Sequence, residues 1–188
     1  EAAKAGIPIH ACSLPGAGGT SPATIPGTVL LAVAEILAIT AMAQAVKPGA
    51  PVVACPIIFS TDMRTGRSLQ ASVEAIRGAS LAVQFIKKEV GLPTHCYGSG
   101  TDSPTVDGQS FSERSMLMTW MAACGLDIFG GVGQLEVATA VSPLQLIIDN
   151  EILAMARRLV APFNFDDDQL AWEALTSVSP GQDFLTLD

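Results

Sequence analysis

The feature that most constrains the fold is a fourfold alternation of short apolar runs with longer helical segments. The apolar runs are residues 7–14, 51–59, 92–97 and 126–129. Helices are predicted at residues 27–46, 71–90, 109–124, 143–160 and 167–178. Strands separated by helices pair in parallel through right-handed crossovers, and strands that are apolar on both faces are typical of buried parallel sheets. We therefore predict an α/β fold with the order βαβαβαβα and a terminal helix.

Two architectures fit this order, an open doubly wound sheet and part of a (β/α)8 TIM barrel. A full barrel takes about 250 residues, whereas this chain has 188 and supplies only about four βα units. Hydrophobic residues make up 49% of the chain, which is enough for one sizeable core. A single domain over residues 1–188 is therefore expected.

Charge and composition exclude some classes of function. Ten Lys and Arg residues against 18 Asp and Glu, with no basic stripe, argue against a nucleic-acid partner. Residues 27–46 are long enough to span a bilayer, but Glu35 lies near their centre, and a carboxylate is costly there. We expect a buried helix of a soluble protein and no membrane contact. Four scattered cysteines without a CxxC pair fit reduced thiols and a cytoplasmic location.

Every long loop that is rich in glycine and polar residues follows a predicted strand. These four segments, called the rim loops below, are residues 13–27, 60–68, 98–110 and 130–142. In parallel α/β folds, the loops after the strands lie at one edge of the sheet, where active sites form. Asp102 and Asp107 are therefore expected to belong to a site built from four loops.

Several segments, in order, resemble the trimethylamine methyltransferase (MttB-like) superfamily. They are GAGGTSPATIPGTVLLAVAEILA, KPGAPVV, DMRTG, TDSPTVDGQSFSE and DNEILAMARR. The resemblance covers essentially the whole chain and implies the C-terminal half of a TIM-barrel enzyme. Such an enzyme moves a methyl group from a tertiary or quaternary amine to the cobalt of a separate corrinoid protein. Archaeal trimethylamine enzymes of the family use pyrrolysine, which is absent here, so the resemblance favours a pyrrolysine-lacking member that acts on a betaine-like amine.

The resemblance also implies the cofactor and the partners. The corrinoid would be carried by the partner protein, with no cofactor bound tightly to this chain. Half a barrel leaves open sheet edges, which need covering. We therefore expect a homo-oligomer or a complementing chain.

Methyl transfer from a quaternary ammonium ion requires the protein to hold a cation and to orient one methyl group. Aromatic faces and carboxylates hold cations. Phe59, Tyr97 and Phe129 lie at or next to the ends of predicted strands and are either a small cage or core residues. Asp102 is a counter-charge to the substrate or a turn-forming residue. His95, in the third strand, either handles substrate and protons or is a core histidine.

The loop that contains Asp102 offers further polar candidates. Asp107 could contact the substrate, and N-capping of the next helix explains it nearly as well. Gln109 is a possible hydrogen-bond donor to the substrate. Ser110 and Glu113 have capping-box spacing, which favours a structural role for Glu113.

Two other rim loops contain candidates for binding. Arg64 could bind a substrate carboxylate or pair with Asp62. Gly18 and Gly19 could let the backbone approach the corrin or the substrate closely. The same glycine-rich loop lacks the lysine and the spacing of a phosphate-binding loop.

The residues also allow two alternative functions. His10 and Cys12, with Cys55 or Cys96 as a third ligand, could hold zinc in a zinc-dependent methyltransferase of a related barrel type. Because the first two lie in a buried strand without a clear third partner, no metal is predicted. The other alternative is a non-catalytic subunit that binds a small cation or completes the barrel of another chain.

Overall fold

The computed structural model describes residues 1–185. Within them the helices are α1 (Ala2–Ala5), α2 (Ile25–Val46), α3 (Val73–Phe85), α4 (Gly108–Ala123), α5 (Pro143–Leu159), α6 (Asp167–Leu170) and α7 (Trp172–Ser177). The strands are β1 (Ile9–Ser13), β2 (Gly16–Ala17), β3 (Val52–Pro56), β4 (Phe59–Thr61), β5 (Ser68–Leu69), β6 (His95–Cys96), β7 (Ile128–Phe129), β8 (Gln134–Leu135) and β9 (Ala140–Val141). A π-helical turn, Ile86–Val90, extends α3.

Four parallel strands lie side by side in chain order. β1 pairs with β3 along its whole length. A parallel bridge between Ala54 and Thr94 joins β3 to the segment that enters β6, and β6 pairs with β7. In a barrel, strands that are consecutive in the chain are also neighbours in the sheet, as they are here. In a doubly wound sheet the strand order reverses near the centre of the sheet. The predicted α/β class is confirmed, and the described strands form an open sheet rather than a closed barrel.

One face of this sheet packs against helices and forms the main core. Ala11, Ala54 and Cys96 lie on this helix side, together with Ile36 of α2 and Val83 of α3. The two alanines have no atoms beyond Cβ, so the helices can approach the sheet closely at native packing density.

The other face of the sheet carries a different set of side chains, because successive residues of a strand point to opposite sides. This open face is defined by His10, Cys12, Val53, Cys55, His95, Tyr97 and Ile128. His10 is exposed, and Ile128 keeps 47% of its surface accessible. A shallow groove of about 270 Å³ runs over this face.

Helix α2 is long and apolar enough, by length and composition alone, to cross a membrane. Core helices of soluble proteins pass the same test. Only 28% of its most apolar window is buried, so α2 is not the buried helix that was predicted. Val33 and Ile36 pack into the core, while Leu30 and Met42 are exposed.

Candidate functional site

The four rim loops follow β1, β3, β6 and β7 in the chain, and the second of them begins inside β4, which two residues of chain separate from the end of β3. Because these strands are parallel, the loops emerge at one edge of the sheet, as predicted. Short strand pairs within the loops give them shape. β4 pairs with β2 and with β5, and β8 pairs with β9.

Asp102 connects the third rim loop to the start of α3. Its carboxylate accepts hydrogen bonds from the backbone N–H of Gln70 at 2.7 Å and from that of Ala71. Burial raises the pKa of Asp102, and these two N–H groups counter part of the rise. Glu113 accepts from the backbone N–H of Asp102 and from the amide of Gln109, each at 2.8 Å. These contacts are structural, and contact of Asp102 or Gln109 with a substrate stays a prediction.

Asp107 is the N-cap of α4. Its carboxylate accepts from the backbone N–H of Ser110 and from the hydroxyl groups of Ser103 and Thr105, all at 2.9 Å. These hydrogen bonds, that from Ser110 first, lower the pKa of Asp107. The capping alternative is therefore present in the structure, and the substrate role of Asp107 stays a prediction.

The aromatic candidates do not all meet. Tyr97 contacts His95 edge-on, with ring centroids 6.1 Å apart. Phe129 is the strand partner of Cys96 and packs against the core on the helix side. Phe59 lines a separate cavity at the rim. The structure thus brings His95 and Tyr97 together and places the two phenylalanines elsewhere.

That rim cavity has a volume of about 390 Å³. Its wall is formed by Phe59, Arg67, Ser68, Glu136, Val137 and Thr139. Arg67 and Glu136 form an ion pair across it, with Nη2 3.0 Å from Oε1. An aromatic ring, a cation and a carboxylate therefore share one opening. The sequence predicted only Phe59 among them, because Arg67 and Glu136 are 69 residues apart and neither belongs to a recognisable pattern.

The cavity wall contains strained backbone. Glu136, Val137 and Ala138 have φ angles of 48°, 53° and 67°, in the left-handed region that a β-branched residue such as Val137 rarely enters. Hydrogen bonds hold the segment in place: the N–H of Glu136 donates to the carbonyl of Ser103, and that of Val137 donates to the carbonyl of Thr101. Strain that the surroundings hold in place clusters at ligand sites, which favours this cavity as the site.

A buried ion pair supports the rim from below. Arg114 of α4 and Asp149 of α5 are fully buried, with Nη1 2.5 Å from Oδ2. Asp149 also accepts from the N–H of Gly133 at 2.6 Å and from the Gln145 amide at 2.7 Å. Arg114 donates to the carbonyl of Ser99 as well. The pair therefore anchors two rim loops to two helices.

The remaining candidates have local structural contacts. The Asp62 carboxylate accepts from the backbone N–H of Arg64 at 3.0 Å, and the Arg64 side chain is exposed. Gly18 has φ +84°, and a Cβ on Gly19 would lie 3.1 Å from the hydroxyl oxygen of Thr61. The two glycines thus permit a tight turn against β4, and a role near a corrin stays a prediction.

A group of possible metal ligands lies on the open face. This His–Cys cluster consists of His10, Cys55 and His95. Nδ1 of His95 is 2.8 Å from Nε2 of His10 and 3.1 Å from Sγ of Cys55. Burial lowers the pKa of His95, with the nearby His10 adding to the effect, and burial raises the pKa of Cys55. Cys96 faces the helix side and contacts the carbonyl of Pro56.

Comparison with known proteins identifies the family. Residues 1–188 match the family model described as trimethylamine methyltransferase (MTTB). The chain is 32% identical over 187 residues to a trimethylamine methyltransferase MttB of Methanosarcina barkeri, covering 100% of this chain and 38% of that protein. It is 35% identical over 187 residues to a glycine betaine methyltransferase of Desulfitobacterium hafniense strain Y51, covering 98% of this chain and 38% of that protein. The chain thus spans less than half the length of these curated relatives. As its motifs predicted, the chain belongs to the trimethylamine methyltransferase family.

Proposed function

We propose that this chain forms the rim-bearing part of a methyltransferase that moves a methyl group from a quaternary or tertiary amine to the corrinoid of a partner protein. The observation that carries the proposal is the emergence of four rim loops at one edge of a parallel sheet, in a chain that matches the family over its whole length. The remaining strands of a (β/α)8 barrel would come from protein outside these 188 residues. They would also cover the open face and its exposed Ile128.

The rim cavity is the proposed site for the amine. An ammonium group is attracted to the ring of Phe59 and to the carboxylate of Glu136, while a substrate carboxylate would pair with Arg67. In the structure, the two charged side chains neutralise each other at 3.0 Å. A zwitterion such as a betaine could insert between them and pair with both. This favours a betaine over trimethylamine, which has no carboxylate.

The chemistry requires little of the chain beyond binding and orientation. The partner's corrinoid supplies the nucleophile when it is bound. A quaternary nitrogen leaves as a neutral amine, so the bond to its methyl group breaks without any proton transfer from the protein. The chain has to hold the cation, direct one methyl group outward and exclude water. Asp102, His95 and Tyr97 do not line this cavity, so their contact with the reacting methyl group stays a separate prediction.

A matched pair of arginine variants tests the binding site. We expect glycine betaine to raise the melting temperature of the chain, and Arg67→Ala to weaken glycine betaine binding by about tenfold or more because a charged hydrogen bond is lost. Arg64→Ala, in the same loop but outside the cavity, should bind glycine betaine normally. Calorimetric titration of both variants supplies the affinities. Equal effects of the two substitutions would contradict the cavity as the site.

Methyl transfer itself is tested by mixing the protein with Co(I) cobalamin and a panel of methylated amines and following the visible spectrum. We expect methylation with a quaternary amine once the rest of the barrel is present. The molecular mass in solution shows whether the chain is assembled with the rest of a barrel. If the assembled protein binds amines but methylates no corrinoid, the non-catalytic subunit is supported instead.

A further inference from the structure

We propose that His10, Cys55 and His95 form a binding site for a divalent transition metal ion of the zinc class. The site lies on the open face of the sheet and is distinct from the rim cavity. It goes beyond the proposed methyl transfer, which does not require it. It also differs from the pairing of His10 with Cys12 that the sequence offered as an alternative.

Strand register brings the three ligands together. They come from β1, β3 and β6, which are consecutive neighbours in the sheet. His10 is paired with Val53, and Cys55 lies two residues further along the same face. The bridge of Ala54 to Thr94 places His95 beside Cys55. The three donor atoms all lie within 4.8 Å of one another.

The distances between the ligand atoms are close to those around a tetrahedral ion. A tetrahedral zinc ion, with bonds of about 2.1 Å to nitrogen and about 2.3 Å to sulfur, separates its ligand atoms by roughly 3.3–3.6 Å. The two contacts to Nδ1 of His95, at 2.8 Å and 3.1 Å, would therefore each lengthen by about 0.5 Å. The third pair of ligand atoms, which lies within 4.8 Å, would close to about 3.6 Å. His10 is exposed in these 188 residues, so the adjustment is expected to come from its ring.

Hydrogen bonding alone leaves this cluster incompletely satisfied. Nδ1 of His95 faces both Nε2 of His10 and Sγ of Cys55, but a neutral ring nitrogen offers either one lone pair or one proton. It cannot form a full hydrogen bond with both neighbours. A cation placed among the three atoms accepts a lone pair from each of them. Imidazole nitrogen and thiolate sulfur are also the ligands that zinc prefers.

The surroundings orient the His95 ring and leave a ligand position open. Tyr97 contacts the ring edge-on. A Cβ on Gly130 would overlap Nε2 of His95, so this glycine makes space for the ring. On the other side, the groove of about 270 Å³ reaches His10 and His95 and is otherwise lined by apolar residues such as Val53 and Ile128. Three protein ligands leave the fourth position to water or to a group from the strands that would cover this face.

The test is a metal titration of the full chain. Zinc content is measured by mass spectrometry after dialysis, and affinity is measured by competition with a chelating dye. We expect one ion per chain with a dissociation constant of about 1 μM or tighter. Cobalt in place of zinc should give a thiolate charge-transfer band that Cys55→Ser abolishes.

Variants with matched controls decide the outcome. His10→Ala removes an exposed ligand and should weaken zinc binding by about 100-fold or more while circular dichroism stays unchanged. Cys124→Ala, which removes a thiol outside the cluster, should leave the affinity unchanged. Binding weaker than micromolar, or equal affinities of these two variants, overturns the proposal. Because no amine or corrinoid is present, such a result would leave the proposed methyl transfer unaffected.

Discussion

Arg114 and Asp149 form an ion pair from which water is excluded, with Nη1 2.5 Å from Oδ2, although 35 residues separate them in the chain. The pair contacts the carbonyl of Ser99 and the N–H of Gly133, which belong to two different rim loops. The position of those loops therefore depends on charges buried beneath them.

Removal of one member of the buried pair should destabilise the protein severely. Arg114→Met leaves the Asp149 carboxylate buried without its counter-ion, and we expect a loss of about 3–5 kcal/mol in the free energy of unfolding. Urea denaturation measures this loss. The double variant Arg114→Met with Asp149→Leu should lose less than the sum of the two single losses, because no charge then remains uncompensated.

The exposed pair of Arg67 and Glu136 is the matched control, since both side chains are partly in water. Arg67→Ala should change the free energy of unfolding by less than about 1 kcal/mol. If Arg67→Ala and Arg114→Met lower the free energy of unfolding by similar amounts, burial does not increase the contribution of the Arg114–Asp149 pair to stability.

Asp102 should reveal its role through two different substitutions. Asp102→Ala removes the acceptor for the N–H groups of Gln70 and Ala71 and should cost about 1–3 kcal/mol of stability. Asp102→Asn retains one carbonyl oxygen and should cost less. A drop in amine affinity with Asp102→Asn at nearly unchanged stability would support substrate contact, whereas normal affinity would assign Asp102 to the loop alone.

Asp107 should behave as a helix cap. Asp107→Ala removes the acceptor for the N–H of Ser110, and we expect a loss of about 0.5–2 kcal/mol. Asp107→Asn retains capping ability and should be nearly neutral. Thermal denaturation compares the two variants, and equal losses would speak against capping as the source of the stability.

Much of the fold could be predicted because its signals are local. Ser142 followed by Pro143 marks the start of α5, and Ser142 accepts from the backbone N–H of Gln145 as an N-cap should. The strands of two or three residues within the rim loops were not predicted, since such short pairs have no periodic pattern. The last helix was predicted as one segment, but the structure divides it at Ala171, which has φ 49° and no glycine to signal it.

The site was less predictable because its contacts join distant parts of the chain. Asp107 lies three residues from the N–H it caps, and the capping alternative followed from that spacing. Asp102 instead binds amides 31 and 32 residues away. Cys55 lies beside His95 and not beside Cys96 because the register of three strands places it there. No spacing within a single segment carries that information.

Asp127 should make stability depend on pH in the acid range. Although partial burial acts to raise the pKa of Asp127, hydrogen bonds from Lys87 and from both the N–H and the hydroxyl of Thr94 lower it overall. A carboxyl group with a lower pKa in the folded state stabilises the protein above its unfolded value of about 3.9, and this contribution disappears as the pH falls through the folded value. Asp127→Asn should therefore reduce the free energy of unfolding by about 1 kcal/mol or less near neutral pH. The free energy of unfolding of this variant should also fall less steeply as the pH is lowered. Urea midpoints between about pH 3 and pH 6 measure both effects.

Asp168→Asn is the control, because Asp168 lies in the exposed first turn of α6. Its stability should depend on pH as that of the unmodified protein does. If the stability of Asp127→Asn also falls in acid as steeply as that of the unmodified protein, the contacts of Asp127 do not cause the fall.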